Sequence, residues 1–309
     1  RYIKRRLSNV LKMIAMFPLV VIQLYGLLIA AAVAVGAWLC TREEKRLSLP
    51  KDTGLDIVLY AVPLAVVFAR IYYVIFSWQQ FAQQPLRIFY VWEGGLAIYG
   101  GVIGGALGVW LLSKRCGIRF SLLADVVAPA LLLGQAIGRW GNYFNGEAFG
   151  YAISSPQWQF FPVAVFVQGQ WHMATFFYES LWNFLGFIFL YRGRRRFGAN
   201  GRTGHVFLWY MSWYGLGRLY IEGLRTDSLM LGDMRISQLV SLVLCASGLL
   251  LIARGLKAPW PAWAGTALAA VCAVVFLMQG RPMWGAAAAM LFVAAGFWLY
   301  RLYSEVVHA

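Results

Sequence analysis

Nine apolar stretches, at about 17–39, 55–76, 96–112, 122–137, 175–191, 205–223, 236–253, 263–279 and 284–303, dictate what this 309-residue chain can fold into. A helix needs roughly 20 residues to cross the hydrocarbon core of a bilayer, and the shorter stretches reach that length with flanking residues. Inside lipid every backbone N–H and C=O must find its partner within the protein, which leaves helices as the form for such runs. The chain is 61% hydrophobic and only 13% charged, which excludes an ordinary soluble domain. It reads as an all-α polytopic membrane protein built as one bundle.

The basic residues choose the orientation. Arg42, Lys45, Arg46 and Lys51 follow the first stretch, and Lys114, Arg115 and Arg119 the third. Arg192, Arg194, Arg195, Arg196 and Arg202 follow the fifth, and Arg254 and Lys257 the seventh. The loops between are poor in Lys and Arg. Cytoplasmic loops carry the excess of positive charge, so the N-terminus is expected outside and the C-terminus in the cytoplasm. Arg1, Lys4, Arg5, Arg6 and Lys12 run against that assignment, and residues 1–16 are read as a basic amphipathic arm lying on the membrane. The net charge of +15 is therefore a membrane signal and not a nucleic-acid one. No cleavable signal peptide is expected, because the first apolar stretch is long and lacks a cleavage site.

Residues 140–172 contain no Lys or Arg and include Pro156 and Pro162 among many aromatics. They read as a small outward-facing head over the bundle. Residues 259–303 read as an added Ala-rich transmembrane hairpin whose task is packing. Cys40, Cys116, Cys245 and Cys272 are far apart, and the three histidines are scattered, so neither a disulfide framework nor a metal site is expected.

Polar residues at membrane depth carry the chemistry. Charges there cost roughly 2.5–3.5 kcal/mol at the centre of a span. The run Gly138-Arg139-Trp140-Gly141-Asn142-Tyr143-Phe144-Asn145-Gly146-Glu147-Ala148-Phe149-Gly150 follows the fourth stretch without a gap. Its glycines permit turns and close backbone approach. Arg139 suits a phosphate, Asn142 and Asn145 offer directional donors and acceptors, and Glu147 is placed to orient Arg139 or a polar headgroup. A glycine-rich helix cap with an Arg–Glu bridge is the plainer alternative.

Further along, Tyr214, Arg218, Glu222 and Arg225 follow helical spacing and form one stripe. Two arginines against one glutamate leave a surplus of positive charge suited to a phosphodiester, which arginine grips through paired hydrogen bonds. A structural Arg218–Glu222 pair is the competing reading. Gly100, Gly104 and Gly108 allow close helix approach, while Tyr99 among these glycines is expected to open its hydroxyl to a cavity. Arg70, alone in the second stretch, calls for an anionic partner or a route to the interface. Tyr25 sits beside Gly26 in the first stretch.

These blocks resemble the prolipoprotein diacylglyceryl transferases. The signature of that family, Gly-Arg-x-Gly-Asn-Phe-x-Asn-x-Glu-x-x-Gly, matches residues 138–150 except for Tyr143 in place of phenylalanine. Gln23 to Gly26, Ala69 to Tyr73, Trp92 to Gly105, Phe177 to Ser180, Tyr214 to Asp227 and Ile236 to Gln238 fall in the family order. Many members carry histidine where this chain has Tyr99.

The resemblance covers 17–253 and implies a seven-helix transferase core, to which the 259–303 hairpin is extra. It implies transfer of diacylglyceryl from phosphatidylglycerol to the lipobox cysteine of a prolipoprotein signal peptide. The reaction forms a thioether and releases glycerol phosphate at the outer side of the bacterial cytoplasmic membrane, with no cofactor. For that reaction the chemistry of the residues points to Tyr99 as carrier of the thiol proton and to Arg139 and Arg218 as stabilisers of the leaving phosphate. Substrate contacts fall to Tyr25, Arg70, Asn142, Asn145, Glu147, Gly150, Glu222 and Arg225. A phospholipid flippase or transporter, or a non-catalytic lipid-binding assembly protein, would also bury arginine and glutamate. A transporter would add broken helices or repeats, which this sequence lacks.

Overall fold

The computed structural model describes residues 2–226, 230–231, 234–279 and 282–308. Each of the nine apolar stretches falls on a helix, with 96–112 starting two residues before its helix and 205–223 ending two residues beyond its own: α1 (Tyr2–Leu47), α2 (Thr53–Phe76), α4 (Ile98–Cys116), α5 (Phe120–Asn145), α6 (Thr175–Phe197), α7 (His205–Ile221), α8 (Ile236–Gly255), α9 (Trp260–Gln279) and α10 (Pro282–His308). A short helix, α3 (Trp78–Phe81), lies in the loop after α2. By length and composition, six segments qualify as membrane spans: Leu24–Leu47, Thr53–Phe76, Phe120–Asn145, Ile236–Gly255, Trp260–Met278 and Gly285–Tyr303. Of the other three, α4 and α6 fall short because they carry glycines, basic residues, Glu179 and Asn183, and α7 because it is only 17 residues long. The molecule is a multi-pass membrane protein.

Two boundaries differ from expectation. The backbone of 2–16 is not separate from the first span but continues into it as one helix. Arg1 and the side chains of Lys4, Arg5, Arg6, Lys12 and Gln23 lie outside the described residues, as does Asp227. Helix α5 runs on through the glycines to Asn145, so the signature arginine sits inside a helix and not on its cap.

The chain divides into two units, Val35–Ala130 and Arg1–Ala34 with Leu131–Ala309. In the first, α2 and α4 meet backbone to backbone. A Cβ at Gly100, Gly104 or Gly108 would lie 2.3, 2.2 or 2.5 Å from the carbonyl oxygens of Phe68, Leu64 and Tyr60. Larger residues would drive the two helices apart, so this Gly-x3-Gly-x3-Gly run is explained by packing. Buried Glu44 accepts the backbone N–H groups of Asp52 (3.1 Å) and Gly54 (2.7 Å), donors at the start of α2 that lack helical partners.

In the second unit, Trp182 of α6 and Trp213 of α7 stack at 4.8 Å and exchange hydrogen bonds. Each indole N–H donates to the other residue's carbonyl at 2.9 Å. Gly217 and Gly186 make room for the two rings. Helices α9 and α10 belong to this unit: the Tyr220 ring stacks on Phe276 of α9, its hydroxyl donates to the Gly285 carbonyl of α10 at 2.7 Å, and fully buried Tyr303 meets His205, Phe197 and Trp209. Between α5 and α6 lies a hairpin that the all-helical reading did not foresee. Strand β1 (Ala164–Val167) pairs antiparallel with β2 (Gln170–Met173), Ala164 opposite Met173. The two residues between them, Gln168 (φ 51°) and Gly169 (φ 83°), take the left-handed conformations that a tight hairpin turn requires. A second two-stranded pair, β3 (Met230–Leu231) and β4 (Met234–Arg235), precedes α8.

Candidate active site

One carboxylate organises the centre of the second unit. Glu179, in the second turn of α6, is 3% exposed. One of its oxygens accepts from Nη2 of Arg139, near the end of α5, and the other from Nη1 of Arg218 on α7 at 2.8 Å. Arg218 Nη2 reaches Glu222 at 2.6 Å, one turn further along, and Glu222 also accepts from Ser237 of α8 at 2.6 Å. Charges of alternating sign thus link α5, α6 and α7, and the Ser237 hydroxyl ties α8 to the last of them. Burying four charges is tolerable only because each carboxylate has two partners; removing one member of such a pair costs about 3–5 kcal/mol.

Neighbouring contacts hold these helices in register. Ser180, adjacent to Glu179, accepts from Trp140 Nε1 at 3.2 Å and donates to the Ala136 carbonyl at 2.8 Å, locking α6 to α5. The Trp182–Trp213 exchange locks α6 to α7. Gln238 donates to the Leu219 carbonyl at 2.8 Å and locks α8 to α7. The Ile236 to Gln238 block, unassigned from sequence, thereby acquires a physical role.

Glu179 was overlooked as a site residue in the sequence. The signal was present, because a lone acid in an apolar stretch demands a cationic partner as firmly as Arg70 does. Its presence corrects the expected surplus of charge: the two arginines at the centre face two glutamates. The guanidiniums keep donor capacity nonetheless. Each has five N–H groups, and Arg139 makes no other hydrogen bond among the described residues.

The rest of the signature surrounds this centre. The ring edge of Tyr25 of α1 packs against Gly141, where a Cβ would come within 2.4 Å of the ring. Beyond α5 the chain turns sharply, with Gly146 at φ 68° and buried Ala148 at φ 61°. Asn145 donates to Glu147 at 3.1 Å, and both are exposed. Glu147 therefore does not orient Arg139, whose carboxylate partner is Glu179. Half-buried Asn142 uses its backbone carbonyl to accept the Glu147 N–H at 3.0 Å. Gly150 threads between β2 and the segment after α7; a Cβ there would meet Met173, the Leu224 carbonyl and Thr175 within 2.8 Å. Arg225 faces it across a β-bridge. Arg225 has left the helix, since 222–224 tighten into a 3₁₀ turn and Arg225 is extended, so the expected four-residue stripe ends at Glu222. Arg235, not singled out in the sequence, anchors this segment by donating to the carbonyls of Glu222 (2.9 Å) and Arg225 (3.0 Å) and to the Tyr151 hydroxyl (2.9 Å).

Tyr99 and Arg70 belong to the other unit. Half-buried Tyr99 lies in the first turn of α4, its ring 6.2 Å from that of Tyr72. Arg70 is buried, and the anionic partner expected for it is replaced by a set of carbonyls. Its guanidinium donates to Ile88 (2.8 Å), Gly94 (2.7 Å), Gly95 (3.0 Å) and Arg87 (2.6 Å), with a longer bond to Tyr90 (3.4 Å). It clasps the 77–97 loop, on which exposed Arg87 pairs with Glu93 at 2.8 Å; that hydrogen bond raises the Arg87 pKa.

Comparison with known proteins agrees with the geometry. A family model described as prolipoprotein diacylglyceryl transferase matches residues 12–254, a stretch that ends before α9. The phosphatidylglycerol--prolipoprotein diacylglyceryl transferase of Bacillus cereus (strain G9842) is 46% identical over 253 residues, covering 80% of this chain and 92% of that protein. The protein of the same name from Bacillus cereus (strain B4264) is 47% identical over 234 residues, covering 74% of this chain and 86% of its own length.

Proposed function

We propose, from the premise that this chain belongs to the prolipoprotein diacylglyceryl transferase family, the reaction that its site performs. The enzyme transfers the diacylglyceryl group of phosphatidylglycerol to the cysteine thiol of a prolipoprotein lipobox. The sulfur attacks the glyceryl carbon that bears the phosphate ester. A carbon–sulfur bond forms, the carbon–oxygen bond breaks, and glycerol phosphate departs with the bonding electrons. A flippase or a non-catalytic assembly protein is not favoured, because the relatives are transferases by name.

The observation that carries this reading is the sharing of Glu179 by Arg139 and Arg218. Two guanidiniums fixed by one carboxylate direct their remaining N–H groups at a single anion. Negative charge grows on the phosphate as the carbon–oxygen bond breaks, and donors already in place in a water-poor site stabilise that charge most. Glu179 and Glu222 are positioning residues for the arginines. Tyr25, Asn142, Asn145, Glu147 and Gly150 shape the lipid site, and Arg225 closes it from beyond α7. Arg70 acts through the loop it clasps. Tyr99 relays the thiol proton, its hydroxyl giving up its own proton to water as its oxygen accepts that of the sulfur; the nucleophile needs only modest help, since a thiol with a pKa of about 8.5 is already a few per cent thiolate near neutral pH.

The basic loops face the cytoplasm in this reading, so the N-terminus and the 140–172 head lie outside and the C-terminus inside. Residues 17–253 form the transferase core, and 259–303 an addition to it. Incubating the purified protein with headgroup- and acyl-labelled phosphatidylglycerol and a lipobox peptide tests the reaction. Acyl label should appear covalently on the peptide cysteine and headgroup label in the aqueous phase as glycerol phosphate. Lipid movement across a bilayer without peptide labelling would refute it.

A further inference from the structure

A polar ladder one and two turns inside the arginine layer has no task in the reaction just described, and the inference drawn from it rests on that transferase reading. On α5, Gln135 precedes Arg139 by one turn; on α7, Tyr214 and Tyr210 precede Arg218 by one turn and two. Gln135 Nε2 donates to the Tyr210 hydroxyl at 3.0 Å. The rings of Tyr210 and Tyr214 stack nearly parallel, 5.9 Å apart at 14°. Among the described residues the Tyr210 hydroxyl accepts that bond and donates none, and the Tyr214 hydroxyl makes no hydrogen bond, so two O–H donors are unused. Donors left unused at this depth are costly, and a ligand that brings hydrogen-bond acceptors completes such a layer.

A phospholipid whose phosphate meets Arg139 and Arg218 carries two ester carbonyls a few bonds away, toward its acyl chains. One helical turn, about 5.4 Å, spans that separation. Ester carbonyls accept hydrogen bonds and donate none, so a wall that recognises them must present donors. The two phenols do so. Gln135, by donating into the Tyr210 oxygen, leaves the proton of that hydroxyl available to the ligand. We propose that Gln135, Tyr210 and Tyr214 form a subsite for the ester linkages of the donor lipid, through which the enzyme distinguishes diacyl from ether-linked phosphatidylglycerol.

The test compares diacyl phosphatidylglycerol with its dialkyl ether analogue of equal chain length, each in phosphatidylcholine nanodiscs with one lipobox peptide. Wild type should show a kcat/KM about tenfold higher for the diacyl donor, the weight of one hydrogen bond, entering mainly through KM. Tyr210→Phe, which keeps the ring stack, and Gln135→Leu should each bring the ratio close to one. A wild-type ratio of one overturns the proposal, and so does a ratio that survives intact in both variants. The ratio is internal to each protein, so partial loss of folded enzyme cancels. Failure of wild type on both donors would strike the transferase reading instead.

Discussion

Replacing Glu179 by glutamine leaves the shape of the site almost unchanged and removes the charge that two arginines share. The carboxylate accepts one charge-assisted bond on each oxygen. The amide can still accept on one side, but on the other it turns an NH2 toward a guanidinium, donor against donor. Each bond to a charged group is worth about 1.5–3 kcal/mol. The loss of one and the weakening of the other come to about 3 kcal/mol or more, the lower end of what breaking a buried pair costs. If that energy holds the arginines where the phosphate needs them, kcat falls at least about a hundredfold at 1.36 kcal/mol per decade. Glu179→Asp keeps the charge but reaches only one arginine at a time, and its rate should fall between the two. The assay is conversion of a lipobox peptide at saturating phosphatidylglycerol, read by mass spectrometry and normalised to folded protein from a thermal melt. A Glu179→Gln enzyme that melts below wild type yet turns over within a factor of about three, under 0.7 kcal/mol, would reduce Glu179 to a structural residue and refute the argument.

Three further outcomes are expected. Gly141→Ala brings a Cβ within 2.4 Å of the Tyr25 ring and should destabilise by about 1–3 kcal/mol, with Tyr25→Ala in the same chain restoring the melting temperature but not the activity. Arg70→Lys keeps the charge but replaces a fork by three donors on one nitrogen, so limited proteolysis within 77–97 should accelerate about tenfold, the effect of 1.4 kcal/mol on loop opening. Tyr99→Phe should lower the transfer rate at least about a hundredfold, as removal of a proton acceptor does; full activity in that variant would end its assignment.

The helices were readable from hydropathy because lipid leaves apolar runs no other structure. The Gly100, Gly104 and Gly108 run was readable as a packing face for the same local reason, and α2 occupies it. What escaped was information held between helices. Glu179 looks like one acid in an aromatic-rich stretch until α5 and α7 bring an arginine to each of its oxygens. Arg70 was expected to need an anionic partner or a route to the interface; its partners are backbone carbonyls of a folded loop, which leave no mark in a sequence. Arg225 kept helical spacing on paper, but the bridge to Gly150 draws the chain into an extended form there. The β1–β2 hairpin rests on four-residue strands and a Gln168-Gly169 turn, too short a pattern to stand out among aromatics.

Single-turnover transfer by wild type, Arg139→Gln, Arg218→Gln and the double variant addresses the pairing of the arginines on one phosphate. Acting as a unit, each single change should cost about two to three decades, and the double should be little worse than the poorer single. Singles that keep the wild-type rate, or losses that simply multiply in the double, would mean that the two guanidiniums do not grip the same leaving group.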